Sequence, residues 1–247
     1  MTALFAYTRF EVMRTLRNTR FLVVTMAMPA AMYLFFLRIS RGMGDAAGLM
    51  VALAGFSMIN AAIGANAATI PAERASGWLR QLRITPLPAG GWLTARIAQA
   101  MVAVVPGLAV ISLCGVLAGH VELSPAQWAA YVLVVLAGSI PFSFLGLLLG
   151  HLLDAQAAQP VQGLLTMLLS FGGGLFFPLT TFPEPLRSAA GLLPTHLFFA
   201  VGQGVVAGQL PAAADVAGLA AWAVALAALA LSIWSRQDGR RVLTVAR

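Results

Sequence analysis

The segment ERASGWLRQLRITPLP, Glu73 to Pro88, interrupts an otherwise greasy chain. It holds four charged residues, one tryptophan and two prolines, and about twenty almost purely apolar residues flank it on each side. On a helix, Pro71 suits the first turn and Glu73 favours the positive helix start. Trp78, Leu79 and Leu82 then share one face with Ala75, while Arg80 and Arg83 point elsewhere. Thr85-Pro86 stops the helix, because a residue before proline avoids the α region. The sequence therefore predicts a short amphipathic helix with an apolar knob. Such a helix either lies on a membrane with its arginines on phosphates, or fits a socket on a partner protein.

The flanks decide the fold class. Sixty per cent of the 247 residues are hydrophobic and 9% are charged, with a mean hydropathy of +0.88. A soluble domain carries about 25% charged residues. The chain reads as an all-α integral membrane protein. Six spans of about the 20 residues a bilayer requires are expected. They cover roughly Phe21–Leu37, Gly48–Ile70, Leu93–Ala118, Trp128–Gly150, Val161–Phe182 and Ala212–Trp234. The whole of 1–247 forms one transmembrane domain, with 71–90 as a segment between spans 2 and 3 and 235–247 as a basic tail.

Arginine counting orients the spans. With the N-terminus inside, the cytoplasmic segments hold Arg9, Arg14, Arg17, Arg20, Arg74, Arg80, Arg83, Arg96, Arg236, Arg240, Arg241 and Arg247. The outside holds Arg38, Arg41 and Arg187. Both termini and Glu73–Pro88 are thus expected in the cytoplasm. The first span reads as retained rather than cleaved, since no small-x-small site follows it. Residues 1–20 read as an interfacial helix. Leu4, Phe5, Val12 and Leu16 share its apolar stripe, and Arg9, Arg14, Arg17 and Arg20 fill a separate arc. In the outer segment 183–211, Leu192–Val206 is too short to cross, and a half-inserted, re-entrant helix is expected.

Several chemistries are excluded. All fifteen basic residues are arginine, and without lysine there is no Walker A loop and no Schiff base. Cys114 stands alone in an apolar run, so it makes neither an internal disulfide nor a zinc cage. Every acid falls in a loop, a terminal segment or near a span end, so a proton relay has nothing to run through. No metalloprotease motif or nucleophile elbow is present, and the arginines flank spans, where anionic headgroups rather than nucleic acid are the partners. No metal site and no catalytic residue is expected.

The spans hold some mild polarity. Ser57, Asn60 and Asn66 in span 2 either bond between helices or face a polar pathway. Gly115–Gly119, Gly146–Gly150 and Gly204–Gly208 are small-residue pairs of the kind that allow close helix packing. Gly172, Gly173 and Gly174, followed by Phe176, Phe177 and Pro178, predict a bend in span 5, either as a gate or as a packing kink.

At these residues the chain resembles the membrane subunits of type-2 ABC exporters, the class of daunorubicin-resistance-type permeases. Their signature reads roughly E-R-E-x-G-T-L-x-x-L-x-x-T-P. Glu73, Arg74, Gly77, Leu79, Leu82, Thr85 and Pro86 match it, with Ala75 in place of Glu and Trp78 in place of Thr. A second pattern resembles the family's outer region at Phe177, Pro178, Leu179, Phe182 and Pro183, then Leu193, Pro194, Thr195, His196 and Leu197. Phe199 and Gly202 stand where the family often has an acidic residue and an arginine. The resemblance implies a permease that pairs with a second copy or a paralogue above two separate ATPase subunits. ATP and magnesium bind those partners and no cofactor binds this chain. The loop after span 2 inserts into the ATPase, with Glu73, Arg74, Gly77, Trp78, Leu79, Leu82, Thr85 and Pro86 as the coupling residues. Spans 2 and 5 resemble pathway-lining spans, which makes Ser57, Asn60, Asn66, Met167, Phe171, Phe176 and Phe177 candidates for the substrate route. The cargo expected is a hydrophobic or amphipathic drug, natural product or lipid, exported across a bacterial inner membrane. A sodium-coupled or facilitative carrier and a non-transporting scaffold or sensor subunit are the rival readings.

Overall fold

The computed structural model describes residues 2–39, 45–78, 91–177 and 179–245, with side chains described for all of these except 2–4, 20–22 and 234–245. Among the described residues every regular element is helical and there is no strand. The helices are α1 (Thr2–Arg17), α2 (Thr19–Ile39), α3 (Ala46–Ala67), α4 (Thr69–Ala75), α5 (Gly91–Leu117), α6 (Pro125–Leu152), α7 (Ala155–Gly172), α8 (Glu184–Ala190), α9 (Pro194–Val206) and α10 (Ala213–Val245). A 3-10 turn covers Leu179–Thr181.

Polar residues at the loop ends start the apolar helices. Asp45 accepts the Ala47 amide at 3.0 Å, and Asp154 accepts the amides of Gln156 and Ala157 at 3.1 and 2.8 Å. Ser124 and Gln127 form a reciprocal capping box with Pro125 in the first turn. Each cap satisfies helix-start donors that hydrocarbon leaves bare.

Helix α3 is the centre. It packs against α2, α5, α6, α7 and α9 and is buried almost all round, as a uniformly apolar helix must be. Met50, Leu53, Met58, Ile59 and Ile63 meet Ile111 of α5, Tyr131 and Phe142 of α6 and Phe198 of α9. Gly146 and Gly150 allow the α3–α6 contact. A Cβ on Gly146 would stand 2.9 Å from the Ile63 Cα, and one on Gly150 would stand 2.9 Å from the Asn66 carbonyl oxygen. Gly115 lies against Met50 in the same manner, whereas Gly208, at φ +72°, turns the chain after α9.

The outer surface is inverted relative to a water-soluble protein. Val23, Val24, Met28 and Phe35 of α2, Leu113 and Leu117 of α5, Leu133 of α6, and Val224 and Leu229 of α10 are exposed. Patches of this extent need an apolar surround. Among the described residues, four stretches are long and apolar enough to cross a membrane: Ala46–Ala75, Gly91–Leu117, Pro125–Leu152 and Ala213–Ile233. They contain expected spans 2 and 4 and match expected spans 3 and 6 to within one residue at an end. Expected span 1 coincides with α2, whose described apolar part, Val23–Ile39, is shorter. The chain is an integral membrane protein.

Three expectations change. Expected span 5 ends as a helix at Gly172 rather than Phe182, because Gly173 caps it and Gly174 takes φ +82°. The first half of α7 also carries Gln156, Gln159 and Gln162. The expected half-inserted helix is a pair: α8 and α9 form an apolar unit bent by 77°. In α1, Phe5 and Leu16 are exposed and Val12 is half-buried, while Tyr7, Glu11 and Thr15 form the buried face that packs on α5. Arg14 leaves the expected basic arc and reaches inward.

Candidate functional site

The two charged residues that open the Glu73–Pro88 segment divide their contacts between opposite sides of the bundle. Glu73 lies in the last turn of α4 and is buried. One of its carboxylate oxygens accepts from Arg14 Nη2 at 2.6 Å, and the other accepts from Arg96 Nη2. Arg96, in the second turn of α5, is fully buried. Its Nη1 donates to Thr69 Oγ1 at 3.2 Å and to Gln99 Oε1 at 3.1 Å. Gln99 in turn donates to Thr15 Oγ1 at 3.1 Å. Glu11, fully buried on α1, sits 3.1 Å from Arg14 and 3.8 Å from Arg96. These are ion pairs without hydrogen-bond alignment.

Two glutamates and two arginines thus balance: Glu11, Glu73 and Arg96 are buried, where an unpaired charge would be very costly, and Arg14 closes the cluster from the half-buried rim. Burial pushes the Tyr7 phenol well above its ordinary range; Arg96 opposes that shift and the nearby Glu11 and Glu73 add to it.

Arg74 turns the other way. Its Nη1 donates to the His151 carbonyl at 3.0 Å, and Nη2 donates to those of Gly150 and Leu153 at 3.3 and 2.5 Å. These are carbonyls at the C-terminus of α6, which have no intrahelical donor and carry the negative end of the helix dipole. Trp92 links the two sides. The Arg96 guanidinium carbon lies 5.5 Å from its ring centroid, and the His151 ring meets it edge-on at 5.6 Å. The Glu73-Arg74 pair therefore fastens α4 to α1, α5 and α6 together.

The motif's glycine ends α4. Gly77 has φ +76°, and its amide donates to the Arg74 carbonyl at 3.3 Å. Glycine alone adopts this left-handed cap without Cβ strain. The single helix expected from Glu73 onward is therefore interrupted: Glu73 and Arg74 belong to the tail of the preceding span. Trp78, half-buried just past the break, packs on Phe10 of α1 with ring centroids 6.0 Å apart. Leu79, Leu82, Thr85 and Pro86, with Arg80 and Arg83, lie outside the described residues.

The arrangement is mechanical in kind. Both Glu73 oxygens are engaged by guanidinium groups, so no free carboxylate is presented to a substrate. What it offers is transmission, because a push at Gly77-Trp78 reaches four helices through short, charge-assisted bonds.

The structure does not gather the candidate pathway residues into one cavity. Ser57 donates to the Thr25 carbonyl of α2 at 3.3 Å. Asn60 accepts from Gln162 of α7 at 3.1 Å. Asn66 is fully buried, with both amide atoms unpartnered. Phe171, Phe176 and Phe177 do come together at the opposite end of the bundle. Phe176 meets Phe171, Phe56 and Phe36 with ring centroids 4.9, 5.4 and 6.3 Å apart. Met167 faces outward. Phe199 lines a 370 Å³ cavity with Leu179, Arg187 and His196, and Gly202 lies against Val51.

Sequence reading missed Arg96, Arg14, Glu11, Thr15 and Gln99 as site residues. A signal was available: Tyr7, Glu11 and Thr15 recur every fourth residue, which marks one polar helix face.

Residues 39–233 match the family described as ABC-2 family transporter protein, and the chain belongs to that family of ABC transporter permeases. A similar protein is "Putative transport permease YvfS" of Bacillus subtilis (strain 168). It is 30% identical over 233 residues, which span 92% of this chain and 95% of the relative.

Proposed function

We propose that this chain is the permease subunit of an ATP-driven exporter, and that Glu73 and Arg74 anchor the segment through which a separate ATPase moves it. One observation carries the reading: the adjacent charges Glu73 and Arg74 pull α1, α5 and α6 onto the end of the α3–α4 span. A loop that served only as a connector has no use for a largely buried, four-residue ion-pair joint at its root.

In this reading α2, α3–α4, α5, α6, α7 and α10 make six crossings and α8–α9 is a re-entrant pair. Both termini are cytoplasmic, and the membrane is the bacterial inner membrane. Two permease copies, or this chain and a paralogue, sit above two ATPase subunits that bind ATP and magnesium. The absence of lysine supports an energy source outside this chain, since it cannot form a standard P-loop. Apolar spans bearing Met, Phe and a few amides support a hydrophobic or amphipathic cargo. ATP binding shifts the permease only as far as the partner's contacts differ between its states.

Co-purification tests the proposal. The chain should bring down an ATPase subunit whose activity is coupled to export in proteoliposomes. A Trp78→Arg/Leu82→Arg double substitution should leave ATP hydrolysis running while transport falls at least tenfold. Unchanged transport in a well-expressed double variant would contradict the coupling role. A transporter that runs on a sodium gradient with no ATPase attached would overturn the whole reading.

A further inference from the structure

Helix α7 is amphipathic in an inverted sense. Leu164, Met167 and Leu168 form its exposed face. Gln162, Thr166 and Ser170 recur every fourth residue along the opposite face, and all three are buried. That face meets α3, where Gln162 Nε2 donates to the carbonyl and side-chain oxygens of Asn60 at 3.3 and 3.1 Å. Gly64 allows the approach, since a Cβ there would stand 2.7 Å from Gln162 Nε2. Thr195, fully buried at the start of α9, continues the line where it packs on Gly173.

The polar atoms in this seam are open. Gln162 Oε1, Thr166 Oγ1, Ser170 Oγ and Thr195 Oγ1 are buried without a hydrogen-bond partner. Helical hydroxyls usually close such a gap by donating to a carbonyl one turn back. Elsewhere the chain does this routinely. Thr15 donates to Glu11, Ser112 to Leu108 and Ser143 to Ser139, at 3.1, 2.8 and 2.9 Å. The seam hydroxyls do not. Four aligned orphans in a membrane-embedded interface call for water or a polar ligand in some state of the protein.

We propose that the α3–α7 seam parts during transport and that Gln162, Thr166, Ser170 and Thr195 then bind neutral hydroxyl or amide groups of an amphipathic cargo. The seam residues named carry no ionisable side chain, so an uncharged hydrogen-bonding head on an apolar body is the matching chemistry. This rests on the transport reading and names its cargo class. It also assigns the conducting face of α7 to Gln162, Thr166 and Ser170 rather than to Met167.

The sole cysteine, Cys114, makes the test direct. In a Cys114→Ala background, single Gln162→Cys, Thr166→Cys and Ser170→Cys variants are compared with Leu164→Cys, Met167→Cys and Leu168→Cys. The complex with its ATPase is reconstituted in vesicles and treated with a water-soluble methanethiosulfonate ammonium reagent, with and without ATP plus vanadate. Labelling at 162, 166 and 170 should differ at least tenfold between the two states, and labelling at 164, 167 and 168 should stay slow. Octyl glucoside below its micellar concentration should slow the seam labelling, and octane should not. Three results in an active complex overturn the inference: no labelling of the seam in either state, equal labelling in both, or equal protection by octane. Seam-specific labelling in a preparation that neither binds nor responds to ATP would keep a water-accessible seam and sink the ATP-driven reading instead.

Discussion

Two polar regions lie inside this apolar bundle, and they are built in opposite ways. At the root of the Glu73–Pro88 segment, Glu11, Arg14, Glu73 and Arg96 each have an ion-pair partner of opposite sign. Between α3 and α7, the groups are neutral and several have no partner. Parting a largely buried ion cluster leaves its charges unpaired at high cost, so it behaves as a fixed joint. A seam of orphaned hydroxyls loses little on opening and gains hydration. Under the proposed function, the contrast assigns rigidity to the end where the ATPase would push and mobility to the interface where cargo would pass.

Breaking the joint should produce the largest effect. Arg96→Ala leaves Glu73 short of one partner and Glu11 buried beside Arg14 alone. It should destabilise the fold by about 3–5 kcal/mol, read by SDS titration in mixed micelles. A loss below about 1 kcal/mol would remove the joint from the account. Gly77→Ala places a Cβ on a φ of +76° and should cost about 1–2 kcal/mol in the same titration. Arg74→Ala removes three carbonyl contacts from a largely exposed side chain, and about 1 kcal/mol is expected after solvent screening. Thr166→Val should change stability by less than about 0.5 kcal/mol or raise it, because it deletes an unsatisfied buried hydroxyl with little change of shape. A large loss there would show that Thr166 is bonded in the resting state and that the two regions are alike.

Much of the bundle was legible in the sequence because hydrocarbon imposes length and apolarity on any helix that crosses it. The long spans on α3, α5, α6 and α10 follow directly, and so does the break signalled by Gly172, Gly173 and Gly174. The joint was not legible, because its partners are distant in the chain. Arg14 and Glu73 are 59 residues apart, and Gln99 and Thr15 are 84 apart. Arg96 was counted only for its sign in the orientation argument, and Glu11 only as an acid outside the spans. Both seams did leave a local trace, polar residues every fourth position in α1 and α7. The candidate taken on α7 from the family resemblance, Met167, faces outward instead. The end of α7 was misplaced because Leu175, Phe176 and Phe177 are apolar enough to continue a span. The left-handed Gly174 decides otherwise.

In the proposed mechanism the joint holds while the seam moves. Paired cysteines report both in one experiment, in the Cys114→Ala background. Thr15→Cys/Gln99→Cys bridges α1 and α5 at the joint, where the native side chains meet at 3.1 Å. Asn60→Cys/Gln162→Cys bridges α3 and α7 at the seam, where they also meet at 3.1 Å. Cross-linking yield is measured with a short bismaleimide in the resting complex and in the ATP-vanadate-trapped complex. Equal yields at the joint in both states and a severalfold change at the seam are expected. A joint that responds to nucleotide while the seam does not would contradict that mechanism.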